Sequence, residues 1–342
     1  MKVLEIRGQT GTSRVFIGER IGNLVSHLPG GKAVFITDAN VRRLYPAVFS
    51  GLPTIELPAG EEAKSLETVA LIYGKLLGLG ADRTTLVVGV GGGVVCDLAG
   101  FAASTFLRGL GFGYAATTLL AQVDASVGGK TGVNFGGYKN MVGVFQQPRF
   151  VVCDPAVLAT LPQREVLSGM AEVVKHAAIG SPGLFEVLEA RSRDALELVP
   201  DILEDIIGQS VAVKAAVVGR DEKEADERRV LNFGHTLGHA FEARSGLSHG
   251  EAVSLGMAAA ARFSVRKGLL PAGDAERLLG LLKSLGLPTS VPFDREAILD
   301  AVRKDKKRAG AAVKFVFLKG IGEPVVEDIP LGELEGLIHD LR

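Results

Sequence analysis

The chain has 342 residues, is 47% hydrophobic, and sets 38 basic against 39 acidic side chains for a formal net charge of −1. That length supports a large core and two domains, and the near-neutral balance argues against binding nucleic acid by bulk charge, leaving a local cationic pocket as the route to anions. Two cysteines, Cys96 and Cys153, are too few for a disulfide framework or a four-thiolate zinc site; charges or glycines interrupt every apolar run before it reaches membrane-span length, and the opening MKVLEIRGQTGTSRVF alternates like a strand without a signal-peptide pattern, so a cytoplasmic protein with no membrane partner is expected.

In chain order, Ala33 to Thr37 is an apolar β-type run ending at Asp38-Ala39-Asn40, and Thr54 to Leu57 is a second, followed by Pro58-Ala59-Gly60. Ser65 to Leu77 has helical spacing and stops at Gly78 and Gly80. Thr84 to Val90 reads as a buried strand running into Gly91-Gly92-Gly93. Strands and helices alternating with short loops imply a parallel sheet covered by helices. From about Asp154 the pattern becomes helical: Arg164 to Ile179, Pro200 to Arg220, Val230 to Ala243, Glu251 to Lys267 and Asp274 to Leu285, with β-type runs nearly absent until Val313 to Leu318. The fold class expected is α/β: an N-terminal parallel-sheet, nucleotide-type domain over 1–151, then a mainly α-helical domain over 152–342.

The turn Gly89-Val90-Gly91-Gly92-Gly93-Val94 lies between a strand and an apolar helix. Glycines there let the backbone approach a pyrophosphate, and the helix start offers N–H groups and partial positive charge. Val94 stands where the dinucleotide fingerprint wants glycine, and no Walker lysine-serine pair follows, which argues against a phosphate-transferring P-loop. Asp97 reads as a first-turn acid and is placed to meet a ribose hydroxyl. A second stretch, Val127 to Asn140, holds two glycine doublets, Lys130, Lys139, Asn134 and Asn140, and reads as a donor-rich loop suited to an anion.

Three of the six histidines stand close together, in LNFGHTLGHAFEARSGLSHGE. His235 and His239, four apart, share a helix face; either both ligate one metal, or one ligates while the other moves protons. His249 follows a turn at Ser245-Gly246 that can return it onto His235. The best carboxylate to complete such a site is Glu172, in the apolar run GMAEVVKH, with Lys175 and His176 on its face. Catalytic zinc is preferred over iron for this donor set.

Taken together, GEEAK (60–64), GVGGGVVCDLAGF (89–101), TTLLAQVDASVGGKTGVN (117–134), GMAEVVKH (169–176), LNFGHTLGHAFE and LSHGEAV resemble the 3-dehydroquinate synthase family, in order from about residue 33 to 325. The resemblance implies conversion of 3-deoxy-D-arabino-heptulosonate 7-phosphate to 3-dehydroquinate and phosphate, by NAD-mediated oxidation, phosphate elimination, re-reduction, ring opening and aldol closure. It implies one divalent metal, zinc first with cobalt as the alternative, ligated by Glu172, His235 and His249. His239 then becomes a substrate contact and proton carrier. Arg108, Asp124, Lys130 and Lys175 fall to catalysis; Asn140, Lys214, Arg228, Asn232 and Lys306, preferred over Lys307, fall to substrate binding. NAD falls to Asp38, Asn40, Glu61, Lys64, Gly91, Gly92, Gly93, Val94, Asp97, Thr117, Thr118, Lys139 and Thr160. The domains become NAD-binding and metal/substrate-binding, the ligand a small sugar phosphate, and the assembly a homodimer.

The chain departs from the family pattern on the NAD side, at Cys96, Ala59 and Ala115-Ala116. Rival readings are another sugar phosphate cyclase, which would alter the substrate contacts, and a metal-dependent alcohol or glycerol dehydrogenase. The latter carries a lysine soon after the turn aspartate, whereas here Leu98-Ala99-Gly100 follows Asp97.

Overall fold

The computed structural model describes residues 1–28, 30–291, 294–306 and 312–339; for 243–245 and 303–306 it describes the backbone only. The chain forms two compact units, Met1–Pro162 with Lys214–Lys223, and Gln163–Val213 with Glu224 onward. The division at Pro162 falls later than the join expected at 151/152. The strand crossing that position is central to the first sheet, and a short helical turn at Pro155–Thr160 follows it before the first long helix.

In the first unit the elements are β1 (Lys2–Gly8), β2 (Gly11–Ile17), β3 (Ala33–Asp38), α1 (Ala39–Leu44), β4 (Thr54–Leu57), α2 (Leu66–Gly78), β5 (Leu86–Gly91), α3 (Gly93–Thr105), β6 (Gly111–Ala116), β7 (Lys130–Phe135), β8 (Tyr138–Phe145) and β9 (Phe150–Cys153). Seven strands make one sheet in the order β1-β2-β9-β6-β5-β3-β4, parallel except for the β1–β2 hairpin. All six residues of β5 and all four of β9 are buried, the unbroken apolar run of a strand covered on both faces. β5 starts at Leu86 rather than Thr84, because Asp82 Oδ1 accepts from the Thr84 N–H at 2.8 Å and Thr85 Oγ1 accepts from the Asp82 N–H at 3.0 Å, making a turn.

The stretch from Val127 to Asn140 is not a loop. It folds into the antiparallel hairpin β7–β8, with Gly136 and Gly137 at φ 58° and 80° making the reversal. Thr131, Val133 and Phe135 supply β-branched and aromatic residues at alternate positions, a period that the glycines masked.

The second unit contains α4 (Gln163–Gly180), α5 (Pro182–Leu196), α6 (Pro200–Arg220, which runs past the division at Lys214), α7 (His235–Ser245), α8 (His249–Arg266), α9 (Ala272–Ser284), α10 (Arg295–Lys306), the antiparallel pair β10 (Ala312–Gly320) and β11 (Glu323–Pro330), and α11 (Leu331–His339). The helix expected from Val230 instead begins at His235. Glu227–Asn232 is a tighter 3-10 turn, and Gly234 at φ 79° breaks the run before α7. A Cβ on Gly256 would fall on the Gly234 carbonyl, and one on Gly238 would lie 3.1 Å from the Ala252 carbonyl oxygen. Glycine at these places lets α7 and α8 pack backbone to backbone.

Candidate active site

α4 buries thirteen of its residues, among them Glu172, Lys175 and His176. A carboxylate so placed demands positive charge. Lys175, one turn on, ion-pairs with Glu172 Oε2. The other oxygen, Oε1, faces two histidines, with His249 Nε2 at 3.3 Å and His235 Nε2 at 3.5 Å. His176 turns its Nδ1 to the Ser210 hydroxyl at 2.7 Å.

Burial, with the Lys175 ammonium close by, drives His235 down to about 3, so its ring is neutral. Its Nδ1 lies 3.2 Å from the Phe233 carbonyl. An N–H donating there leaves a lone pair on Nε2, aimed at a carboxylate oxygen, and two acceptors face to face call for a cation between them. Burial works against a proton on His249, yet hydrogen bonds to Glu172 and Glu242 prevail and raise it to about 9. A divalent cation meets the same demand by displacing that proton. Tetrahedral zinc with ligands at about 2.0–2.2 Å holds its donors roughly 3.4 Å apart, which the 3.3 and 3.5 Å separations match. One donor atom from each of Glu172, His235 and His249 lies within 4.8 Å of the others, and among the described residues that group excludes His239. His239 is exposed, its ring edge-on to that of His235 at 5.4 Å.

Elsewhere in this unit Arg228 is buried, and Asn232 donates to Glu224 Oε1 at 2.6 Å. Sequence reading missed Glu224, whose place in the acidic run 221–224 gave no periodic signal; its φ of 59° turns it toward Asn232. The side chain of Lys306 and the whole of Lys307 lie outside the described residues.

The first unit places its predicted residues in three groups. In the turn from β5 to α3, Gly91 and Gly92 are required by the chain's own packing, since a Cβ would lie 2.6 Å from Val95 and 2.9 Å from Thr118 respectively. Gly92 caps α3, Gly93 and Val94 open it, the Thr117 N–H donates to Gly91 O at 2.9 Å, and Thr118 Oγ1 accepts from Ala121 N–H at 3.1 Å. Asp97 is not in the first turn of α3 but in the second, ion-paired with buried Lys64; burial raises its carboxyl to about 6 against the pull of that ammonium.

The second group is the donor-rich hairpin. Asn134 donates its side chain to Glu61 at 2.9 Å and its N–H to Lys64 O at 2.9 Å. Asn140, at φ 52°, donates its N–H to Asn134 Oδ1 at 3.0 Å, while Lys130 and Lys139 are exposed. The third group is an ion pair. Asp124 sits in a π-helical turn, Ala121–Ala125, a form that recurs at functional sites. Its Oδ1 and its carbonyl oxygen each accept from Lys214 Nζ at 2.6 Å. Gln122, another residue missed, anchors that turn by donating to Ala116 O and Asp154 O at 3.1 and 2.9 Å.

The remaining predicted residues lie apart from these groups. Arg108 is exposed at the end of a turn where it and Leu107 both take positive φ. Asp38 caps α1, its Oδ1 accepting from Asn40 and Val41 N–H groups. Thr160 lies 2.7 Å from the Tyr45 hydroxyl.

Two family models match this chain: 3-dehydroquinate synthase N-terminal over residues 54–168, and 3-dehydroquinate synthase C-terminal over 169–308. The chain belongs to the 3-dehydroquinate synthase family. It is 42% identical over 338 residues to the 3-dehydroquinate synthase of Dehalococcoides mccartyi, covering 95% of this chain and 94% of that relative. It is also similar to a solved 2-deoxy-scyllo-inosose synthase complexed with carbaglucose-6-phosphate, NAD+ and Co2+, at 29% identity and a TM-score of 0.89 over 98% of this chain and 99% of that one. A 2-epi-5-epi-valiolone synthase from Streptomyces hygroscopicus subsp. jinggangensis, with NAD+ and Zn2+ bound, aligns at 28% identity and a TM-score of 0.87, over 99% and 98% of the two chains. The family architecture, an N-terminal parallel-sheet domain and a helical C-terminal domain, is the one found here.

Proposed function

We propose that this chain is a 3-dehydroquinate synthase, a phosphate-eliminating carbon–oxygen lyase that converts 3-deoxy-D-arabino-heptulosonate 7-phosphate to 3-dehydroquinate and phosphate. The observation that carries the mechanism is Glu172 Oε1 facing the Nε2 atoms of His249 and His235 at 3.3 and 3.5 Å. Those three residues hold one divalent metal, zinc or cobalt. When bound, NAD supplies the reversible oxidation of a substrate carbinol, and the metal supplies Lewis-acid polarisation of neighbouring oxygens.

The chain's own residues bind, orient and move protons. In the second unit, Lys175 fixes Glu172 and offers a desolvated ammonium where developing negative charge is best stabilised. His239, exposed one turn from His235, carries a proton to or from a substrate hydroxyl. Arg228, Asn232 and Lys306 contact the substrate's anionic and hydroxyl groups. In the first unit, Asp124 orients the Lys214 ammonium toward an oxyanion. Arg108, Lys130 and Asn140 contribute further substrate contacts. NAD is held there by Asp38, Asn40, Glu61, Lys64, the segment 91–94, Asp97, Thr117, Thr118, Lys139 and Thr160. No helix among the described residues is long and apolar enough to cross a membrane. We infer a cytoplasmic homodimer.

The test is to incubate purified protein with the heptulosonate phosphate, trace NAD and zinc. Phosphate and 3-dehydroquinate should appear in equal amounts with no net NADH. Turnover of a hexose 6-phosphate instead, or steady NADH production from an alcohol, would refute the assignment.

A further inference from the structure

We propose that Arg164, at the start of α4, is a positioning residue for the metal site: through Glu251 it fixes the first turn of α8, and so the place of His249 opposite Glu172. The inference rests on the reading of Glu172, His235 and His249 as metal ligands.

Arg164, Ser168 and Glu172 are four residues apart and share one face of α4. That face meets three successive residues at the start of α8. Arg164 Nη2 donates to Glu251 Oε2 at 2.8 Å. Gly250 lies against the Ser168 backbone so closely that a Cβ would fall on Ser168 Cα and stand 3.1 Å from Leu167 O. Glu172 Oε1 faces His249 Nε2 at 3.3 Å. The ligand pair is therefore the last of three contacts in line, and Arg164 holds the first.

The same guanidinium nitrogen donates to Gly246 O at 3.3 Å, at the left-handed cap that ends α7. Arg164 thus grips both sides of the turn between α7, which carries His235, and α8, which carries His249. Glu251 Oε2 also accepts from the Ser248 N–H at 2.6 Å, while Ser248 Oγ accepts from the Glu251 N–H at 3.4 Å, a reciprocal cap around His249. The carboxylate that closes this cap is the one Arg164 holds. With Arg164 58% and Glu251 28% exposed, the pair contributes little to global stability. Its effect is local, on a site whose donors must keep their spacing to within a few tenths of an ångström.

The experiment compares wild type with Arg164→Ala by zinc competition against a chromophoric chelator, by the visible absorption of the Co2+ form, and by thermal unfolding without metal. Zinc binding should weaken about tenfold or more, the range typical of lost partners of metal ligands. The Co2+ bands should shift while the metal-free midpoint barely moves. Arg164→Lys keeps the positive charge on a shorter side chain with a single nitrogen and no planar guanidinium, and should recover only part of the affinity. If Arg164→Ala fails to fold, Glu251→Gln takes its place, since glutamine keeps the cap and removes the charge; it should weaken zinc in the same direction. Unchanged zinc affinity and Co2+ bands overturn the proposal, as does a fall in metal-free stability that accounts for the lost affinity. Wild type binding no zinc would instead refute the metal reading on which the proposal rests.

Discussion

Asp97 and Lys64 form an ion pair in which Lys64 is buried and the Asp97 side chain is 17% exposed. Burial lifts Asp97 to about 6 even with the ammonium beside it. At the head of α3 the helix macrodipole would have favoured the ionised form; one turn further in, that help has faded and burial decides. The folded chain therefore binds a proton that the unfolded chain, titrating near 3.8, does not. The stabilisation from that proton is complete below about 4 and is lost as pH rises through about 6. Asp97→Asn removes this titration. The unfolding free energy of wild type relative to Asp97→Asn should thus fall by on the order of 1–2 kcal/mol between pH 5 and pH 7, as urea melts across that range would measure. A difference independent of pH would contradict the burial argument. The histidines teach a related lesson about what residue spacing reveals. Four-residue spacing pairs His235 with His239, but it takes no account of the return at Gly246 that puts His249 Nε2 beside Glu172.

Among the elements, the β7–β8 hairpin was the least legible, because glycine and lysine hid an alternation of Thr131, Val133 and Phe135. The parallel strands were legible because burial on both faces leaves unbroken apolar runs. α4 was legible too, down to Glu172 and Lys175, because opposite charges one helical turn apart can neutralise each other and let an apolar run be buried around them. What sets the hairpin in place is a glycine on another element. Gly100 of α3 is buried where a Cβ would fall on the Tyr114 hydroxyl of β6 and on the Thr131 side chain of β7. Substituting alanine overpacks this junction and should cost about 1–3 kcal/mol. β7 should also shift, with Lys130 next to Thr131 and with Asn134, whose N–H donates to Lys64 O. Gly100→Ala is expected to lower the melting temperature by several degrees and to raise KM for the sugar phosphate more than it lowers kcat. Wild-type stability in that variant would mean that α3 and β7 separate without cost.

At the scale of the whole chain, each unit has its own apolar core, and the three proposed metal donors, Glu172, His235 and His249, belong entirely to the second. There α4 and α8 bury thirteen residues each, so the fold does not depend on the ion in the way a small zinc finger does. Chelation should leave the far-ultraviolet circular dichroism at 25 °C unchanged. The ion still binds the folded chain in preference to the unfolded one. Zinc at a thousand times its Kd should therefore add about 4 kcal/mol to the unfolding free energy, and a chelator should withdraw it. In His235→Ala the neutral donor that faces Glu172 is gone, while Lys175 still balances the carboxylate. That variant should fold, lose turnover, and show little of the zinc-dependent rise in melting temperature. A full rise in His235→Ala would mean that the stabilising ion sits elsewhere. Loss of secondary structure on chelation would mean that the second unit needs its metal to fold.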